Sequence, residues 1–460
     1  MAEPHIDPAK VLAAFKAYDV RGTVPDQVDV DLARAAGRAF AQVVASPRIV
    51  VGHDMRPSSP SLAGAFAQGA TEYGVDAVMI GLASTDQLYF ASGHLGLPGA
   101  MFTASHNPAQ YNGIKMCRAY AVPLGLESGL GEIRDLVIAN AAPPPGTVPG
   151  RILTENLLDA YARHLLELAP VRGRRLKVVA DAGNGMAGHT APAVFGLIGS
   201  DTVDLVPMYF ELDGTFPNHE ANPLDESTLV DLKARVLAEG ADAGLAFDGD
   251  ADRCFLVDEL GRAVNPSAIT ALIAARALAK EPGAKVIHNL ITSRVVPQIV
   301  TELGGVPVRT RVGHSYIKAT MAETDAVFGG EHSGHFYFRE FWRADSGMLA
   351  ALHVLAALAE SDLPLSKLLA SYERYPMSGE INSTVADQAA VLAAVRRLYG
   401  DRAGVELDEL DGLTVTHAEW TFNVRASNTE PLLRLNAEGN DTATMERIRD
   451  EVLAVIRGGE

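Results

Sequence analysis

Three aspartates alternate along one short stretch of the sequence, "LAFDGDADRCFLVD" (residues 245–258). Asp248, Asp250 and Asp252 follow one apolar segment and precede another, so their carboxylates can converge on a single hard cation. An EF-hand loop starting at Asp248 would need glycine at its sixth position, which is Arg253, and helices as flanks. A solvated acidic turn is the other alternative. The pattern favours a metal site, and Arg253 predicts a phosphate or sugar oxygen held beside the metal.

A compact polar loop, "TASHNP" at residues 103–108, follows the apolar segment "GAMF". Ser105 at the end of a strand suits a nucleophile, although an ordinary loop has the same spacing. His106 adjoins Ser105, but neighbours in an extended chain point to opposite faces. This geometry weakens a nucleophile–base pair between the two.

The glycine-rich stretch "GGEHSGH" (residues 329–335) offers Glu331, Ser333 and His335 with close backbone approach. Such donors and acceptors suit the hydroxyls of a sugar, and a structural turn is the alternative. His332 and His335 have the spacing of a zinc pair, yet no third ligand lies near them in sequence. The stretch therefore predicts a sugar-binding turn.

A second polar stretch, "RASNTEP" (residues 425–431), concentrates guanidinium, hydroxyl and backbone donors in one loop. Such donors suit a phosphate dianion, although a capped turn uses the same residue types. The phosphate-binding candidates are Arg425, Ser427, Asn428 and Thr429. Further polar and basic groups stand in the stretches "AYDVRG", "NGIK" and "RVGHSYIK", namely Tyr18, Arg21, Lys115 and His314.

The stretch "AGNGMAG" matches the pattern G-x-G-x-x-G at Gly183, Gly185 and Gly188, which invites a dinucleotide interpretation. Asp181 precedes it, and its charge would oppose a pyrophosphate. The pattern therefore favours a tight strand-to-helix turn.

Alternating strand-like and helix-like segments position these loops. Helical "DVDLARAAGRAFAQVVA", the strand "RIVVGHD", helical "SLAGAFAQGATEYG" and the strand "VDAVMIG" follow one another, and similar series start at "RLKVVADAGNG" and near residue 262. This alternation predicts α/β domains, whereas "SGEINSTV", "GLTVTHAEWTFNVRAS" and "PLLRLNAEG" predict antiparallel strands. A proline-rich linker ends the first domain. We predict three similar α/β domains with mixed sheets and one C-terminal α+β domain, at residues 1–150, 151–258, 259–368 and 369–460.

Composition narrows the function classes. The 460 residues include 39 Lys and Arg against 57 Asp and Glu, a net charge of −18, which argues against nucleic-acid and membrane surfaces. Cys117 and Cys254 form no disulfide framework, and the chain shows neither a signal peptide nor an apolar run of membrane-spanning length. We expect a cytoplasmic protein without nucleic-acid or membrane partners. The oligomeric state stays open.

Taken in order, "YDVRG", "TASHNP", "NGIK", "DGDADR", "GEHSGH" and "RASNTEP" resemble the α-D-phosphohexomutase superfamily, in its bacterial phosphomannomutase/phosphoglucomutase branch. The resemblance covers nearly the whole chain. It implies four domains around a central cleft: a phosphoserine domain, a metal-binding domain, a sugar-binding domain and a phosphate-binding domain. It also implies interconversion of hexose 1-phosphate and hexose 6-phosphate of mannose, glucose or both.

The resemblance implies roles for particular residues. Mg²⁺ would be held by a phosphoserine at Ser105 with Asp248, Asp250 and Asp252, and hexose 1,6-bisphosphate would be intermediate and activator. Besides Ser105, the implied catalytic residues are Arg21, Lys115, His314 and His335. The implied substrate-binding residues are Tyr18, His106, Asn107, Arg253, Gly313, Glu331, Ser333, Arg425, Ser427, Asn428 and Thr429, and the partner is a small phosphosugar.

Two positions depart from the branch pattern. Ile291 stands where a lysine is frequent and Val312 where a hydroxyl is frequent, so Arg294, Arg309 or Arg311 can take over a basic contact. Within the superfamily, phosphoglucosamine mutase is the alternative, but its branch tends to have glutamine at the position of His332 and "SGTEP" for "SNTEP". A non-catalytic phosphosugar-binding protein would have lost Ser105 or an aspartate. A metal-dependent phosphatase is a third alternative.

Overall fold

The computed structural model describes residues 6–140, 142–426 and 432–458. These residues form two compact units, each built from two separated parts of the chain. One unit runs to Val264 and takes in Ser333–Leu368, and the other comprises Asn265–His332 and the chain from Leu369 onward. Among the described helices, none has the length and apolar character needed to cross a membrane.

The first domain is a mixed seven-stranded sheet with helices around it. Its strands are β1 (Val20–Thr23), β2 (Arg48–His53), β3 (Asp76–Leu82), β4 (Gly99–Phe102), β5 (Tyr111–Arg118), β6 (Val122–Pro123) and β7 (Ile152–Thr154), in the order β1-β5-β4-β2-β3-β7 with β6 on β5. Its helices are α1 (Pro8–Ala14), α2 (Val30–Val44), α3 (Ser59–Glu72), α4 (Thr85–Leu95) and α5 (Gly131–Ala139). Strand β7 follows the proline-rich segment and pairs in parallel with β3.

The second domain has four strands, β8 (Leu176–Asp181), β9 (Val203–Met208), β10 (Ala243–Phe247) and β11 (Cys254–Asp258), in the order β11-β10-β8-β9. Its helices are α6 (Leu158–Leu168), α7 (Ala187–Ile198) and α8 (Val230–Glu239). The three aspartates connect β10 to its antiparallel neighbour β11. Buried strands rather than helices therefore flank this loop, which excludes an EF-hand.

The third segment is divided between the two units. One unit contains α9 (Pro266–Lys280), β12 (Lys285–Asn289), α10 (Val295–Glu302), β13 (Val306–Thr310), α11 (His314–Thr324) and β14 (Phe328–Gly330), with β12 parallel to β13 and β14. The other contains the antiparallel pair β15 (Phe336–Phe338) and β16 (Ala344–Asp345), followed by α12 (Gly347–Ala359) and α13 (Leu365–Leu368). Every residue of α12 is buried, as its all-round apolar sequence requires.

The last domain is an antiparallel sheet with two helices. Its strands are β17 (Met377–Thr384), β18 (Glu406–Asp408), β19 (Leu413–Thr416), β20 (Trp420–Ala426) and β21 (Leu432–Gly439), in the order β17-β21-β20-β19-β18, and its helices are α14 (Gln388–Gly400) and α15 (Thr442–Arg457). The α/β series and this antiparallel sheet confirm the predicted fold class. The domain boundaries and the central cleft stay predictions.

Candidate functional site

Ser105 lies in the serine loop, residues 103–108, between β4 and β5. Its φ of 51° is left-handed, a conformation that costs an L residue about 1–2 kcal/mol, and its backbone N–H donates to Thr103 Oγ1 at 2.9 Å. Its Oγ consequently lies 3.3 Å from His106 Nδ1. The expectation that Ser105 and His106 point apart was wrong, because it assumed an extended backbone at Ser105.

A buried arginine that sequence reasoning missed holds the serine loop. Arg56 follows β2, its side chain is completely buried, and it lies beside Asp54 with Nε 3.3 Å from Oδ2. Its guanidinium donates to four backbone carbonyls, those of Ser105 (3.0 Å), Asn107 (2.6 Å), Pro108 (2.8 Å) and Tyr111 (3.0 Å). A charged pair directly after an apolar strand, "VVGHDMR", was the available signal.

The aspartate loop, residues 248–253, lies against the serine loop. Asp248, Asp250 and Asp252 are buried, and one carboxylate oxygen from each lies within 4.8 Å of the others. Ser105 Oγ donates to Asp248 Oδ2 at 2.9 Å. A Cβ on Gly249 would stand 2.5 Å from the carbonyl oxygen of Ser105, so this close approach requires glycine.

Two cations balance part of the acidic charge. Arg253 donates to Asp248 Oδ2 through Nε (2.9 Å) and NH2 (2.7 Å), and Lys115 Nζ lies 2.7 Å from Asp250 Oδ2 and 2.6 Å from Asp252 Oδ2. Burial raises the pKa of Asp248, although Arg253 opposes this shift. Burial also acts to raise the pKa of Asp250, but the charge and hydrogen bond of Lys115, the hydrogen bond of Thr85 and the charge of Arg253 together outweigh burial and lower that pKa.

The aspartate loop has the donor set of a cation site. Three acidic side chains face only two cations, Lys115 and Arg253. Asp250 Oδ1 and Asp252 Oδ1 are buried and accept no hydrogen bond from the residues that the structure describes. Buried oxygens of this kind are costly without a partner, and carboxylates are the ligands that hard divalent cations prefer. The predicted metal residues therefore fit a bound cation.

Arg253 also orients the histidines of this site. Its NH2 lies 2.6 Å from His106 Nδ1, and since guanidinium only donates, that nitrogen accepts. Burial, together with the charge of Arg253, lowers the pKa of His106, which keeps its ring neutral. Arg253 forms an isolated β-bridge with His335, whose Nε2 lies 3.7 Å from Asp252 Oδ1 and whose Nδ1 lies 3.1 Å from Ser333 Oγ.

The alternative zinc pair of His332 and His335 finds no support. Within the described ranges, His335 shares a potential metal-binding group with Asp252 and Asp345, and His332 belongs to no such group.

Arg21 reaches the serine loop from β1. Its NH1 donates to Asn107 Oδ1 at 2.7 Å, and it pairs with Asp19. Tyr18 is half-buried two residues before β1. One compact unit therefore contains the three aspartates together with Ser105, Arg21, His106, Asn107, Lys115, Arg253, Ser333 and His335. The hydrogen bonds and ion pairs described above join these residues into linked groups.

The remaining predicted site residues belong to the other unit. Buried Glu331 accepts through Oε1 from Asn289 Nδ2 (3.1 Å) and from the Gly313 N–H (3.2 Å). Arg425 lies within β20 rather than in a loop, and its NH2 donates to Glu380 Oε2 at 2.9 Å. His314 is the first residue of α11, and the structure does not describe its side chain. Ser427, Asn428 and Thr429 lie outside the described residues.

The three arginines suggested as replacement basic contacts have different surroundings. Arg294 Nε lies 2.7 Å from Glu438 Oε1, and Arg309 pairs with Asp408. Arg311 is exposed, with its guanidinium 5.9 Å from the centre of the Tyr316 ring. Arg294 and Arg309 are thus paired with acidic residues of their own unit.

The glycine pattern at residues 182–188 is a turn between β8 and α7, as predicted. A Cβ on Gly185 would stand 2.7 Å from the Gly249 carbonyl oxygen, and the Met186 N–H donates to that oxygen at 2.9 Å. Because the turn packs on the aspartate loop, it offers no cradle for a pyrophosphate. The dinucleotide interpretation is therefore excluded.

Comparisons with known proteins agree with this geometry. Models of phosphoglucomutase/phosphomannomutase domains I, II and III and of its C-terminal domain match residues 12–141, 159–261, 265–375 and 380–455. The chain is 40% identical over 454 residues to a phosphomannomutase of Escherichia coli K12 (97% of this chain, 99% of the relative) and 41% identical over 452 residues to phosphohexose mutases of Xanthomonas campestris B100 (97% and 100%).

A solved structure is also similar. A phosphoglucomutase/phosphomannomutase family protein of Burkholderia thailandensis superposes with a TM-score of 0.88 at 32% identity, covering 97% of this chain and 98% of that one. With four matching domain models and full-length relatives, the chain belongs to the phosphoglucomutase/phosphomannomutase family of enzymes.

Proposed function

We propose that this enzyme interconverts hexose 1-phosphate and hexose 6-phosphate through a phosphoserine at Ser105 and a hexose 1,6-bisphosphate intermediate. The observation that carries the proposal is the hydrogen bond from Ser105 Oγ to Asp248 Oδ2, 2.9 Å long, inside a buried cluster of three aspartates. A serine beside acidic groups is suited to carry a phosphoryl group only when cations surround it. Arg253 and Lys115 supply two such cations.

The proposed metal is Mg²⁺, held by Asp248, Asp250, Asp252 and a phosphoserine oxygen. When bound, it neutralises charge on the phosphoryl group. Transfer breaks the bond between phosphorus and Ser105 Oγ and forms one between phosphorus and a sugar hydroxyl oxygen. The hydroxyl proton passes to a nearby base, and Ser105 Oγ takes up a proton as it leaves. Return of the other phosphate of the bisphosphate to Ser105 regenerates the phosphoenzyme.

The residues around Ser105 have distinct proposed tasks. Lys115 and Arg21 stabilise the phosphoryl group, and His314 and His335 exchange protons with the sugar hydroxyl. His106, Asn107 and Arg253 orient the serine loop and the phosphate. The remaining contacts to sugar hydroxyls and to the non-reacting phosphate come from Tyr18, Gly313, Glu331, Ser333, Arg425, Ser427, Asn428 and Thr429.

Mannose phosphate is the first substrate to test, because relatives at 40% identity are named phosphomannomutase. Glucose phosphate is the second, since the matched family descriptions name phosphoglucomutase as well. The alternative, phosphoglucosamine mutase activity, is disfavoured by His332 and by "SNTEP" at residues 427–431. The predicted domain roles and cytoplasmic location belong to this proposal.

A coupled assay tests the function. Mannose 1-phosphate, glucose 1-phosphate and glucosamine 1-phosphate are each supplied with Mg²⁺ and a trace of hexose 1,6-bisphosphate, and formation of the 6-phosphate is followed. We expect turnover of the mannose substrate, the glucose substrate or both. The proposal fails if none of the three is converted by protein that mass spectrometry shows to be phosphorylated at Ser105, and release of inorganic phosphate instead would indicate a phosphatase.

A further inference from the structure

A segment that no sequence motif singled out, residues 214–221, packs on the arginine that holds the serine loop. The Arg56 guanidinium carbon lies 5.0 Å from the centre of the Phe216 ring. A Cβ on Gly214 would stand 2.6 Å from Arg56 Cα, so the two backbones are in close contact. Since Arg56 donates to the carbonyl of Ser105, one end of the segment backs the serine loop.

The other end of the segment backs the aspartate loop. A Cβ on Gly249 would stand 3.6 Å from Ala221 Cβ, with the Ser105 carbonyl oxygen at 2.5 Å. A Cβ on Gly183 would stand 3.7 Å from Ala221 Cα. Ala221 therefore also packs on the glycine turn at residues 182–188, which in turn packs on Gly249. The segment thus contacts Arg56, which holds the serine loop, and the glycine turn, which packs on the aspartate loop.

An ion pair between half-buried His219 and buried Asp181 anchors this segment. His219 Nε2 lies 3.0 Å from Asp181 Oδ2, and His219 Nδ1 lies 2.9 Å from the Glu220 carbonyl oxygen. Both partners only accept, so both ring nitrogens carry protons and the ring is an imidazolium. Burial opposes this charge, but the hydrogen bond and charge of Asp181, the Glu220 carbonyl and the charge of Asp231 together outweigh burial and raise the pKa of His219. Asp181 ends β8 and accepts from the Gly183 N–H at 2.8 Å.

We infer that residues 214–221 are a positioning segment for the reaction, and that the His219–Asp181 pair holds it so that the serine loop and the aspartate loop keep their spacing. The inference rests on the proposed use of Ser105 and the three aspartates. His219 touches neither the metal ligands nor a substrate contact proposed above, so it acts through Ala221, Gly183 and Gly249. Substituting residues that hold metal ligands in place commonly lowers metal affinity or activity by about 10- to 100-fold.

The test compares wild type with His219→Ala and Asp181→Asn. In metal-free protein, we expect faster hydrogen–deuterium exchange in peptides covering residues 103–111 and 247–254, and unchanged exchange in the last domain. In dephosphorylated protein, calorimetric titration with Mg²⁺ should show a Kd raised by about tenfold. With phosphorylated enzyme, kcat should fall while KM for the phosphosugar stays the same.

Glu220→Gln is the matched control, because its side chain is exposed in the same segment, and it should resemble wild type in all three measurements. If His219→Ala does not fold, Asp181→Asn decides, since it is nearly isosteric. Wild-type exchange rates and Mg²⁺ affinity in a folded variant would overturn the inference. Neither measurement needs turnover, so both test the inference even if the mutase assay fails. If the wild type is active and the variants match it in exchange rate and Mg²⁺ affinity, the inference is refuted while the proposed function stands.

Discussion

At the scale of single residues, Ser105 combines three uncommon properties. It is buried, its backbone is left-handed, and its hydroxyl donates to a carboxylate. Backbone strain of this kind persists only where neighbouring contacts over-determine it, and it concentrates at functional sites. Here Thr103 and Arg56 hold the loop from two sides.

Replacing Ser105 tests its role as phosphoryl carrier. We expect Ser105→Ala to lower kcat by at least about a thousandfold and to remove the phosphoserine from the intact mass, because no other group offers the hydroxyl at this position. Circular dichroism should be unchanged. Ser61→Ala, at an exposed serine of α3, should behave as wild type. Full activity of Ser105→Ala would remove this residue from the mechanism.

Arg56 has a different kind of importance, since it donates to four carbonyls with no exposure to solvent. Lysine cannot reproduce the planar fork of donors, and carbonyls left unpaired in a buried loop are costly. We expect Arg56→Lys to lower the free energy of unfolding by about 2–4 kcal/mol. Arg34→Lys, at a half-exposed ion pair with Glu72, should change it little in the same urea titration.

At the scale of elements, the β10–β11 turn depends on close backbone contact. Gly249 meets the Ser105 carbonyl where a Cβ would clash, so Gly249→Ala must move the aspartate loop away from Ser105. A displacement near 1 Å at reacting groups costs about a hundredfold in rate, and we expect kcat to fall by about that factor. Gly196→Ala, on α7 with open space around it, is the control. Equal kinetics in both variants would show that the loop spacing does not limit turnover.

Helix α4 is joined to two other elements by a buried acid. Asp86 accepts from Ser84 Oγ, from Tyr161 OH on α6 (2.7 Å) and from Ser346 Oγ at the start of α12 (2.6 Å). Burial raises the pKa of this carboxyl from 3.8 to about 6. Because the folded state holds the proton more tightly than the unfolded state, ionisation destabilises the fold as the pH rises through the range from 3.8 to about 6.

The full cost of ionising Asp86 is about 3 kcal/mol, roughly half of which falls between about pH 5 and about pH 7.5. Asp86→Asn removes this titration. We therefore expect the unfolding free energy of wild type, measured relative to Asp86→Asn in urea, to decrease by about 1–2 kcal/mol over that interval. A constant difference between the two proteins would contradict the assignment of the raised pKa.

At the scale of the whole molecule, a strongly acidic chain places four of its 39 basic side chains at or beside the loops around Ser105. The net charge is −18, yet Arg21, Lys115, Arg253 and Arg56 all lie at or beside the serine and aspartate loops. Donors of these side chains could bind an anionic sugar phosphate. The carboxylates still exceed the cations that they contact, so a divalent cation should stabilise the folded chain.

Metal loading should therefore raise the melting temperature. With free Mg²⁺ about a hundredfold above its Kd, binding adds about 3 kcal/mol to the stability of the folded state. This gain corresponds to a rise of about 6–12 °C for a cooperative unit of about 150–250 residues. Excess EDTA should reverse the rise. Asp250→Asn, which removes a ligand charge, should gain much less from Mg²⁺ in differential scanning fluorimetry, and an equal gain would exclude Asp250 as a ligand.

Contiguous patterns in the sequence predicted the α/β series and the antiparallel last domain, and they marked the aspartate loop, the serine loop and residues 329–335 as candidates, because periodicity and loop chemistry are local. Several contacts of the site join residues that lie about 50 to 145 positions apart in the chain. They are the contacts of Arg56 with Ser105, of Gly249 with Ser105 and of Lys115 with Asp250. Only the tertiary structure decided these contacts, since strand order brings loop ends together independently of their distance in the chain. The left-handed backbone of Ser105 was likewise decided by the tertiary structure, because the long-range contacts of the serine loop impose that conformation.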